Sequence, residues 1–302
     1  MQLSVVVPTL NAREDLAGCL DALATNAPDA EVLVVNGPSA DGTTGMVQER
    51  GDVDVLVELA DRTINAARNA GVERASGDVV AFVHPFRAIE PSWVDAIAAG
   101  LQTADVVTGP THTQLPAGFA TEAVEERSIA GRDITYFNAG NVAFRREPLD
   151  ELDGFDEYLE VGGARDLAHR LAGNGYDVVW DEDMSVREEV GADGGGGTDW
   201  AWKYRSLSYR LVKNYGLRPT VARRLVGHAG ADAVGELRNV ASGDSEPSAW
   251  FGSGRSVLLN LALGLKDGHA ARRLDRTPRR NPRGRSTRTD RAVEVYDWRD
   301  GA

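Results

Sequence analysis

The sequence lacks the features that mark secreted, disulfide-stapled or membrane-spanning proteins. Its 302 residues contain one cysteine, Cys19, so no intrachain disulfide can form and a reducing compartment is favoured. The longest apolar run near the carboxyl end, residues 257–265, is far shorter than the roughly 20 residues that a membrane-spanning helix needs. The chain enters a β-branched run almost at once, without the pattern of a signal peptide. These absences predict a cytoplasmic protein.

Lysine is also scarce. Only Lys203, Lys213 and Lys266 occur among 33 basic residues, and 46 acidic residues bring the net charge to −13. We expect a halophilic host, because an acidic, lysine-poor surface stays soluble in concentrated salt. Residues 1–200 carry 13 basic and 36 acidic residues, a net charge of −23, whereas residues 201–302 carry 20 and 10, a net charge of +10. The basic end therefore predicts an anionic partner.

Short β-branched runs alternate with helical patterns through the first third of the chain. Each helical stretch carries apolar residues at three- and four-residue spacing. Strands that alternate with helices form a mostly parallel sheet with helices on both faces, so the fold class is α/β. The predicted strands are residues 3–7, 31–35, 53–59 and 79–83, and the predicted helices are residues 14–23, 43–50 and 64–75.

Five segments resemble the family 2 glycosyltransferases, inverting enzymes with a Rossmann-like GT-A fold. The segments are Val5–Asn11, Val34–Thr43, Ala67–Gly71 with Ala75–Asp78, Asn138–Arg146 with Gly154–Glu157, and Asp166–Leu171 with Gly175–Tyr176. They stand in the order of that family. The resemblance implies a GT-A domain at residues 1–190, with a donor half at 1–105 and an acceptor half at 106–190.

The same resemblance implies transfer of a sugar from a nucleoside diphosphate-sugar to a lipid-linked glycan or surface polysaccharide, as in protein glycosylation. Ligands of open α/β sheets bind at the carboxyl ends of the strands. The expected donor-binding residues are Pro8, Thr9, Asn11, Asn36, Asp41, Arg68, Asn69 and His84, and the expected acceptor-binding residues are Gly140 and Asn141. Asp41 could equally be a helix N-cap, and Arg68 could be a surface arginine.

The metal clamp of this family is absent. An Asp-x-Asp pair at the end of the fourth strand normally holds Mg²⁺ or Mn²⁺ against the donor diphosphate. Here the two positions are His84 and Phe86. His84 could bind a transition metal, fill the space of the clamp, or contact phosphate as a cation. Mg²⁺ or Mn²⁺ therefore stays a candidate cofactor without a complete set of ligands.

The position of the catalytic base departs from the family pattern as well. The family commonly has Glu-Asp where this chain has Gly163 and Ala164, and the Asp deprotonates the acceptor hydroxyl. Asp166 and Asp156 are the candidate catalytic residues here, and Glu160 is a further one. Asp166 could instead be a carboxylate at a helix N-terminus, where the helix dipole favours it.

The carboxyl-terminal third mixes aromatic and basic residues. Residues 198–265 predict a helical segment, whose residues 200–215 either lie in a membrane interface or pack their rings on the main domain. Residues 266–302 are Arg-rich, with nine Arg in 272–291, and predict a flexible tail. The chain could thus contact an anionic membrane at the inner face of the cell. No nucleic-acid-binding motif accompanies the arginines, so we expect no nucleic acid partner.

Two missing motifs leave a second function open. The chain could be a catalytically inactive relative that binds nucleotide-sugar or a partner glycosyltransferase. Activity and metal dependence distinguish the two hypotheses, since an enzyme must turn over its donor. The sequence does not identify the sugar, the nucleotide base or the acceptor.

Overall fold

The computed structural model describes residues 1–115, 118–188, 200–228, 230 and 247–299. Its strands are β1 (Leu3–Thr9), β2 (Glu31–Asn36), β3 (Val55–Leu59), β4 (Val79–Val83), β5 (Arg87–Ile89), β6 (Val106–Thr108), β7 (Thr111–Leu115), β8 (Gly118–Thr121), β9 (Glu125–Ile129), β10 (Arg132–Tyr136), β11 (Asn141–Arg145), β12 (Val178–Trp180), β13 (Val186–Glu188) and β14 (Ala292–Asp297). Its helices are α1 (Arg13–Asn26), α2 (Thr43–Gln48), α3 (Ile64–Arg74), α4 (Trp93–Gly100), α5 (Arg146–Glu151), α6 (Gly163–Asn174), α7 (Trp200–Tyr215) and α8 (Pro247–Leu274). Residues 219–228 are also helical.

Eight strands form the central sheet in the order β12-β6-β11-β4-β1-β2-β3-β14. Strands β4, β1, β2 and β3 are adjacent in this order, and each adjacent pair is parallel. This arrangement confirms the predicted α/β fold with a mostly parallel sheet. Strand β11 lies antiparallel between β4 and β6, and β14 lies antiparallel on β3. A second sheet, β5-β13-β7-β8, stands beside the carboxyl ends of the central strands.

Alternate residues of the buried strands enter two separate cores. Val6 of β1 packs with α3, α6 and α7 on one face, whereas Val5 and Val7 pack with α1 and α4 on the other. The division follows from the two-residue repeat of a strand. Cys19 belongs to the second core, where burial raises the pKa of its thiol to about 12, so it stays protonated and unreactive.

Gly71 explains why small residues occur in the segment Ala67–Gly71. Helix α3 crosses β1 so closely that a Cβ on Gly71 would overlap the side chain of Val6. The small residues of α3, Ala66, Ala67 and Ala70, are buried along the same contact. The segment therefore fixes the distance between α3 and the sheet, and so the position of the residues at the start of α3.

Helix α7 packs into the domain rather than lying at an interface. Tyr204, Tyr209 and Tyr215 are buried, and α8 approaches α7 so closely that Cβ atoms on Gly264 and Gly268 would overlap its residues. For residues 204–215 the packing interpretation is therefore confirmed, and the prediction of rings at headgroup depth is wrong for these three tyrosines. Residues 231–246 of the predicted helical segment lie outside the described residues.

The Arg-rich end is ordered against the acidic body, so the prediction of a flexible tail is wrong for the described residues 266–299. Strand β14 adds an edge to the central sheet by pairing with β3. The arginines before it meet carboxylates between residues 61 and 157: Arg285 meets Asp150, Arg288 meets Asp61 and Glu157, and Arg291 meets Glu73 and Glu157. The anionic partner of this basic segment is thus the protein itself.

Candidate functional site

A cavity of about 220 Å³ opens at the carboxyl ends of the central strands. Thr9 ends β1, Gly37 follows β2, residues 61–64 follow β3, and His84 follows β4, and all line this cavity. Loops from four adjacent parallel strands meet there, at the place where ligands of α/β sheets bind. The structure places three predicted donor residues, Pro8, Thr9 and His84, on the cavity wall.

Thr9 has a polar atom available for a ligand. The side chain is buried, and its Oγ1 has no hydrogen-bond partner among the described residues. A buried hydroxyl without a partner costs free energy, which a bound polar group would recover. The sequence singled out Thr9 by position alone, and the structure adds this unpaired atom.

Asn11 and Asn36 use their amides to hold two loops together. Ser39 Oγ donates to Asn36 Oδ1 at 2.7 Å and accepts from the backbone N–H of Asn11 at 2.8 Å. Asn36 Nδ2 donates to Thr44 Oγ1 at 3.1 Å, and Asn11 Oδ1 accepts from the Ala40 amide at 2.8 Å. Asn36 is buried, so its contact with a base or ribose stays a prediction and its visible role is to shape the loop.

Asp41 holds the turn before α2, one residue ahead of the N-cap residue Gly42. Its Oδ1 accepts from the Thr43 amide at 3.1 Å and its Oδ2 accepts from the Arg13 amide at 3.0 Å. Burial alone would raise the pKa of Asp41, but these bonds and the Thr43 hydroxyl outweigh it and lower the pKa. The geometry gives Asp41 a role in this turn, whereas the N-cap residue itself is Gly42.

Arg68 is buried in α3 rather than exposed on the surface. Nη1 donates to Asn65 Oδ1 at 3.0 Å, Nη2 donates to Ala139 O at 3.3 Å, and the guanidinium lies 5.2 Å from the centre of the Phe155 ring. Burial, and then the charge of Arg87, lower the pKa of Arg68 to about 9, so it stays a cation at neutral pH. Neither hydrogen bond goes to a carboxylate.

Asn69 holds the loop between α5 and α6. Its Oδ1 accepts from the Phe155 amide at 2.8 Å, and its Nδ2 donates to Phe155 O at 2.9 Å and to Glu157 Oε1 at 2.7 Å. A Cβ on Gly154 would overlap Asn69 Oδ1. Asn69 is fully buried, so the geometry gives this predicted donor residue a structural role and explains why Gly-Phe stands at 154–155.

His84 lies beside a tight crossing at the start of β11. Its amide donates to Gly140 O at 3.1 Å, and a Cβ on Gly140 would stand 2.8 Å from both His84 Cβ and Arg87 Nη1. The His84 and Phe86 rings lie 4.9 Å apart. Gly140, predicted to bind the acceptor, thus lets His84 and Arg87 approach the same segment.

The end of β4 does not fit a Mg²⁺ or Mn²⁺ site. Hard cations require several oxygen ligands, whereas this position offers an imidazole and a phenyl ring. Within the described residues no group of three His, Cys, Asp or Glu side chains could hold a metal ion. The guanidiniums of Arg68 and Arg87 add positive charge to the same region. No step of the chemistry is therefore assigned to a metal here.

Asn141 is a structural residue in this structure. It is fully buried, its Oδ1 accepts from Trp93 Nε1 at 2.8 Å, and its Nδ2 donates to Met184 O at 2.7 Å and to Gly109 O at 3.1 Å. These bonds join the two sheets. An acceptor substrate has no access to this amide, in contrast to the prediction.

The two predicted catalytic carboxylates, Asp156 and Asp166, share one buried lysine. Lys213 Nζ lies 2.6 Å from Asp156 Oδ2 and 2.6 Å from Asp166 Oδ2, and all three side chains have no exposed surface. Arg170 Nε donates to Asp166 Oδ2 at 2.9 Å, and Tyr209 OH donates to Asp156 Oδ2 at 2.8 Å. We call these five residues the buried ion network.

The buried ion network favours a structural role for both carboxylates. Burial alone would raise the pKa of Asp166, but the nearby charges of Lys213 and Arg170 lower it to about 2. Such a group is a weak base, and neither carboxylate reaches solvent or the cavity. Of the three candidate catalytic carboxylates, Asp156, Glu160 and Asp166, only Glu160 is exposed.

The position just before the family's base, Gly163, is closed by packing. A Cβ on Gly163 would overlap the side-chain amide of Asn65, and Asn65 Nδ2 donates to Leu159 O at 2.6 Å. A glutamate could not occupy this position without displacing Asn65. The absence of a carboxylate at position 163 therefore follows from the close packing between α3 and α6.

A second cavity, of about 510 Å³, lies on the other side of Phe86. Arg87, Glu188 and Arg187 line it together with the first turns of α1. Arg87 Nε donates to Glu188 Oε2 at 3.0 Å across the β5–β13 pair. Phe86 lines both cavities, so a long ligand could extend from one to the other.

Sequence reasoning missed Arg87, Asp61 and Lys213. Arg87 directly follows the altered clamp, and Asp61 directly follows β3, so both stood next to positions already singled out. Lys213 interrupts the apolar face of α7 four residues after Tyr209, and a lysine on an apolar face signals a buried counter-charge.

Comparison with known proteins agrees with the fold. The family model described as glycosyl transferase family 2 matches residues 4–152, about half of the chain. The chain is 26% identical to glycosyltransferase AglE of Haloferax volcanii over 199 residues, which are 60% of this chain and 65% of that protein. It is 26% identical to undecaprenyl-phosphate mannosyltransferase of Micrococcus luteus over 212 residues, 63% of this chain and 86% of that protein.

Solved structures share the GT-A fold. TarS of S. aureus, residues 1–349 in complex with UDP-GlcNAc, superposes with a TM-score of 0.59 at 17% identity, covering 91% of this chain and 92% of that one. Mannosyltransferase PcManGT from Pyrobaculum calidifontis, in complex with GDP-Man and Mn²⁺, gives a TM-score of 0.56 at 19% identity, with 91% and 88% covered. Because the family model matches residues 4–152, this part of the chain belongs to glycosyl transferase family 2, and the names of the relatives and the fold agree with it.

Proposed function

We propose that the chain transfers a sugar from a nucleoside diphosphate-sugar to the phosphate of a lipid-linked acceptor. The cavity at the carboxyl ends of β1 to β4 carries the donor half of this proposal. Thr9 Oγ1 supplies an unpaired polar atom there, and the nearby Asp61 carboxylate is suited to the hydroxyls of a ribose. TarS and PcManGT are described with UDP-GlcNAc and GDP-Man, which supports a nucleotide-sugar donor.

The missing base favours a phosphate acceptor over a hydroxyl. A hydroxyl must lose its proton during the displacement, which requires a positioned base. Ala164, at the family's base position, carries no carboxylate, and the buried ion network encloses Asp156 and Asp166, so no such base stands at the places the family uses. A phosphate monoester is already ionised at neutral pH, because its second pKa is about 6. The relative from Micrococcus luteus is named for a lipid phosphate, which agrees with this choice.

A transfer assay tests the proposal. The full chain is incubated with UDP-GlcNAc or GDP-mannose and with a polyprenyl phosphate in vesicles, and the sugar-lipid is measured by mass spectrometry. We expect product with the lipid phosphate and none with a polyprenyl alcohol of the same length. Donor binding without transfer to any acceptor would instead favour the inactive, nucleotide-sugar-binding relative.

An exposed apolar groove supports contact with an anionic membrane. A cavity of about 670 Å³ lies between residues 217–226 and α8, and the exposed residues Leu217, Val226 and Leu258 line it. Arg218 also lines this groove, which suits an anionic lipid surface. No helix among the described residues is long and apolar enough to span a bilayer. We infer peripheral binding through this groove.

Flotation with vesicles tests the membrane contact. The wild-type chain should float with vesicles that contain anionic lipid and much less with neutral vesicles, because cations and apolar side chains act together. The Val226→Asp/Leu258→Asp variant should lose most of this binding, while Val293→Asp, an equally exposed valine on β14, should keep it. Equal flotation of both variants would contradict a role for the groove.

A further inference from the structure

Two buried arginines converge on the segment where a metal-dependent relative would hold its ion. Arg68 Nη2 donates to Ala139 O at 3.3 Å, and Arg87 Nη1 lies 2.8 Å from the Cβ position of Gly140, the next residue. The His84 amide donates to Gly140 O at 3.1 Å. Arg68 comes from α3 and Arg87 from β5, so two separate elements place guanidiniums beside the end of β4.

Both arginines keep a buried nitrogen without a partner. Arg68 Nε and Arg87 Nη1 have no hydrogen-bond partner among the described residues. Arg68 is 7% exposed and the Arg87 side chain is 12% exposed, so water does not readily replace the missing partners. Buried guanidinium nitrogens are normally satisfied, so each of these two nitrogens could donate to a bound anion.

The positive charge of the pair is only partly balanced. Arg87 forms one ion pair, with Glu188 through Nε, whereas the hydrogen bonds of Arg68 go to the neutral Asn65 Oδ1 and Ala139 O. The charge of Arg87 also helps to lower the pKa of Arg68, because two nearby cations disfavour each other. An anion between them would relieve this repulsion, and a divalent cation would increase it.

We propose that Arg68 and Arg87 bind the diphosphate of the donor and take the place of the divalent metal ion. The inference rests on the proposed function and specifies how its donor site works. The planar guanidinium matches phosphate oxygens and keeps its charge at any relevant pH. In the transfer, the bond from the sugar C1 to the diphosphate oxygen breaks, a bond from C1 to the acceptor oxygen forms, and the electron pair stays on the diphosphate that the arginines hold.

The proposal also explains the substitutions at the clamp. Carboxylates at positions 84 and 86 would form ion pairs with Arg87 and compete with a phosphate for its guanidinium. His84 and Phe86 carry no negative charge, so they leave the guanidiniums available to an anion. The loss of the Asp-x-Asp pair therefore goes together with the position of Arg87 beside Gly140, because both leave a guanidinium available to phosphate.

Binding of nucleoside diphosphates with and without metal tests the inference. Titration calorimetry of the full chain with ADP, CDP, GDP and UDP is done in EDTA and again in Mn²⁺ or Mg²⁺. We expect at least one of them to bind in EDTA, with a Kd that metal changes by less than about threefold. In Arg87→Gln the Kd should rise roughly tenfold or more, because a hydrogen bond to a charged group is lost. The Kd of Arg87→Lys should lie between those of the wild type and Arg87→Gln.

Control variants separate binding from folding. Arg87→Gln leaves Glu188 without its partner, so the Arg87→Gln/Glu188→Gln double variant removes both charges and should show the same loss of affinity. Arg127→Gln, which removes an exposed arginine of β9, should bind as the wild type does. The affinity for the matching nucleoside, which has no phosphate, should be the same in all variants as in the wild type.

The outcomes distinguish this inference from the proposed function. If a nucleoside diphosphate binds only when metal is present, or binds the double variant as tightly as the wild type, the two arginines do not replace the metal and the proposed function stands. If no nucleoside diphosphate binds the wild type in either condition, the proposed function fails and the inference fails with it.

Discussion

Replacing Lys213 with methionine should lower the free energy of unfolding by about 3–5 kcal/mol, the usual cost of breaking a buried ion pair. Lys213 is the single cation that both Asp156 and Asp166 contact at 2.6 Å. Two carboxylates balance Lys213 and Arg170 in the buried ion network, so the variant leaves one uncompensated negative charge with no access to water. Urea unfolding followed by circular dichroism measures the loss.

Acid should expose the same network. The lowered pKa of Asp166, about 2, contributes stability that is fully present above the unfolded carboxyl value of about 3.9 and is lost as the pH falls towards 2. Without Lys213, only Arg170 opposes the effect of burial, so the pKa of Asp166 is higher in the variant. The variant should therefore lose stability at a higher pH than the wild type does. The midpoint of acid unfolding should therefore move upwards relative to the wild type.

Two further variants test whether the effect is electrostatic. Lys266→Met removes an exposed lysine of α8 and should change stability by less than about 0.5 kcal/mol. Asp156→Asn combined with Lys213→Met restores neutrality, since Asp166 keeps Arg170, and should recover part of the loss. A double variant that is no more stable than Lys213→Met would show that packing, not charge, makes Lys213 important.

The order of strands and helices could be read from the sequence because it depends on local patterns. Each predicted strand from 3–7 to 79–83 overlaps an observed one, because short Val-rich runs bounded by turn residues are typical of buried strands. The cavity followed from the same pattern, since the ends of parallel strands meet on one edge. Position alone therefore predicted that Thr9 and His84 lie at this edge, where both line the cavity, and their contact with a donor stays a prediction.

The roles of single polar residues could not be predicted in the same way. Asn69, Asn141 and Asp166 occur in segments that resemble a donor or acceptor site, yet each one is fully buried and hydrogen-bonded to a distant part of the chain. Their partners lie between about 40 and 90 residues away, and sequence spacing carries no information about such contacts. Residues 272–291 were predicted to form a flexible tail for the same reason, because the carboxylates that bind Arg285, Arg288 and Arg291 lie 131 to 227 residues earlier in the chain.

Replacing Arg291 with methionine should lower the free energy of unfolding by about 2–4 kcal/mol, because it breaks a largely buried ion network. The Arg291 side chain is 1% exposed, and it lies 2.6 Å from both Glu73 Oε1 and Glu157 Oε1. It also donates to Arg285 O at 2.8 Å and holds the turn before β14. The cost is smaller than for Lys213, because Glu157 keeps bonds from Arg288 and Asn69.

The same variant should weaken donor binding, although Arg291 does not line the cavity. Glu157 accepts from Asn69 Nδ2 at 2.7 Å, Asn69 holds both backbone groups of Phe155, and the Phe155 ring lies 5.2 Å from the Arg68 guanidinium. Because these contacts are continuous, loosening Glu157 should disorder Phe155 and with it the Arg68 cation. Nucleoside diphosphate titration measures the effect. Arg276→Met, an exposed arginine of the same segment, should change neither stability nor affinity. Lower stability with unchanged affinity would show that the basic end only closes the sheet edge at β3, and does not support the phosphate site.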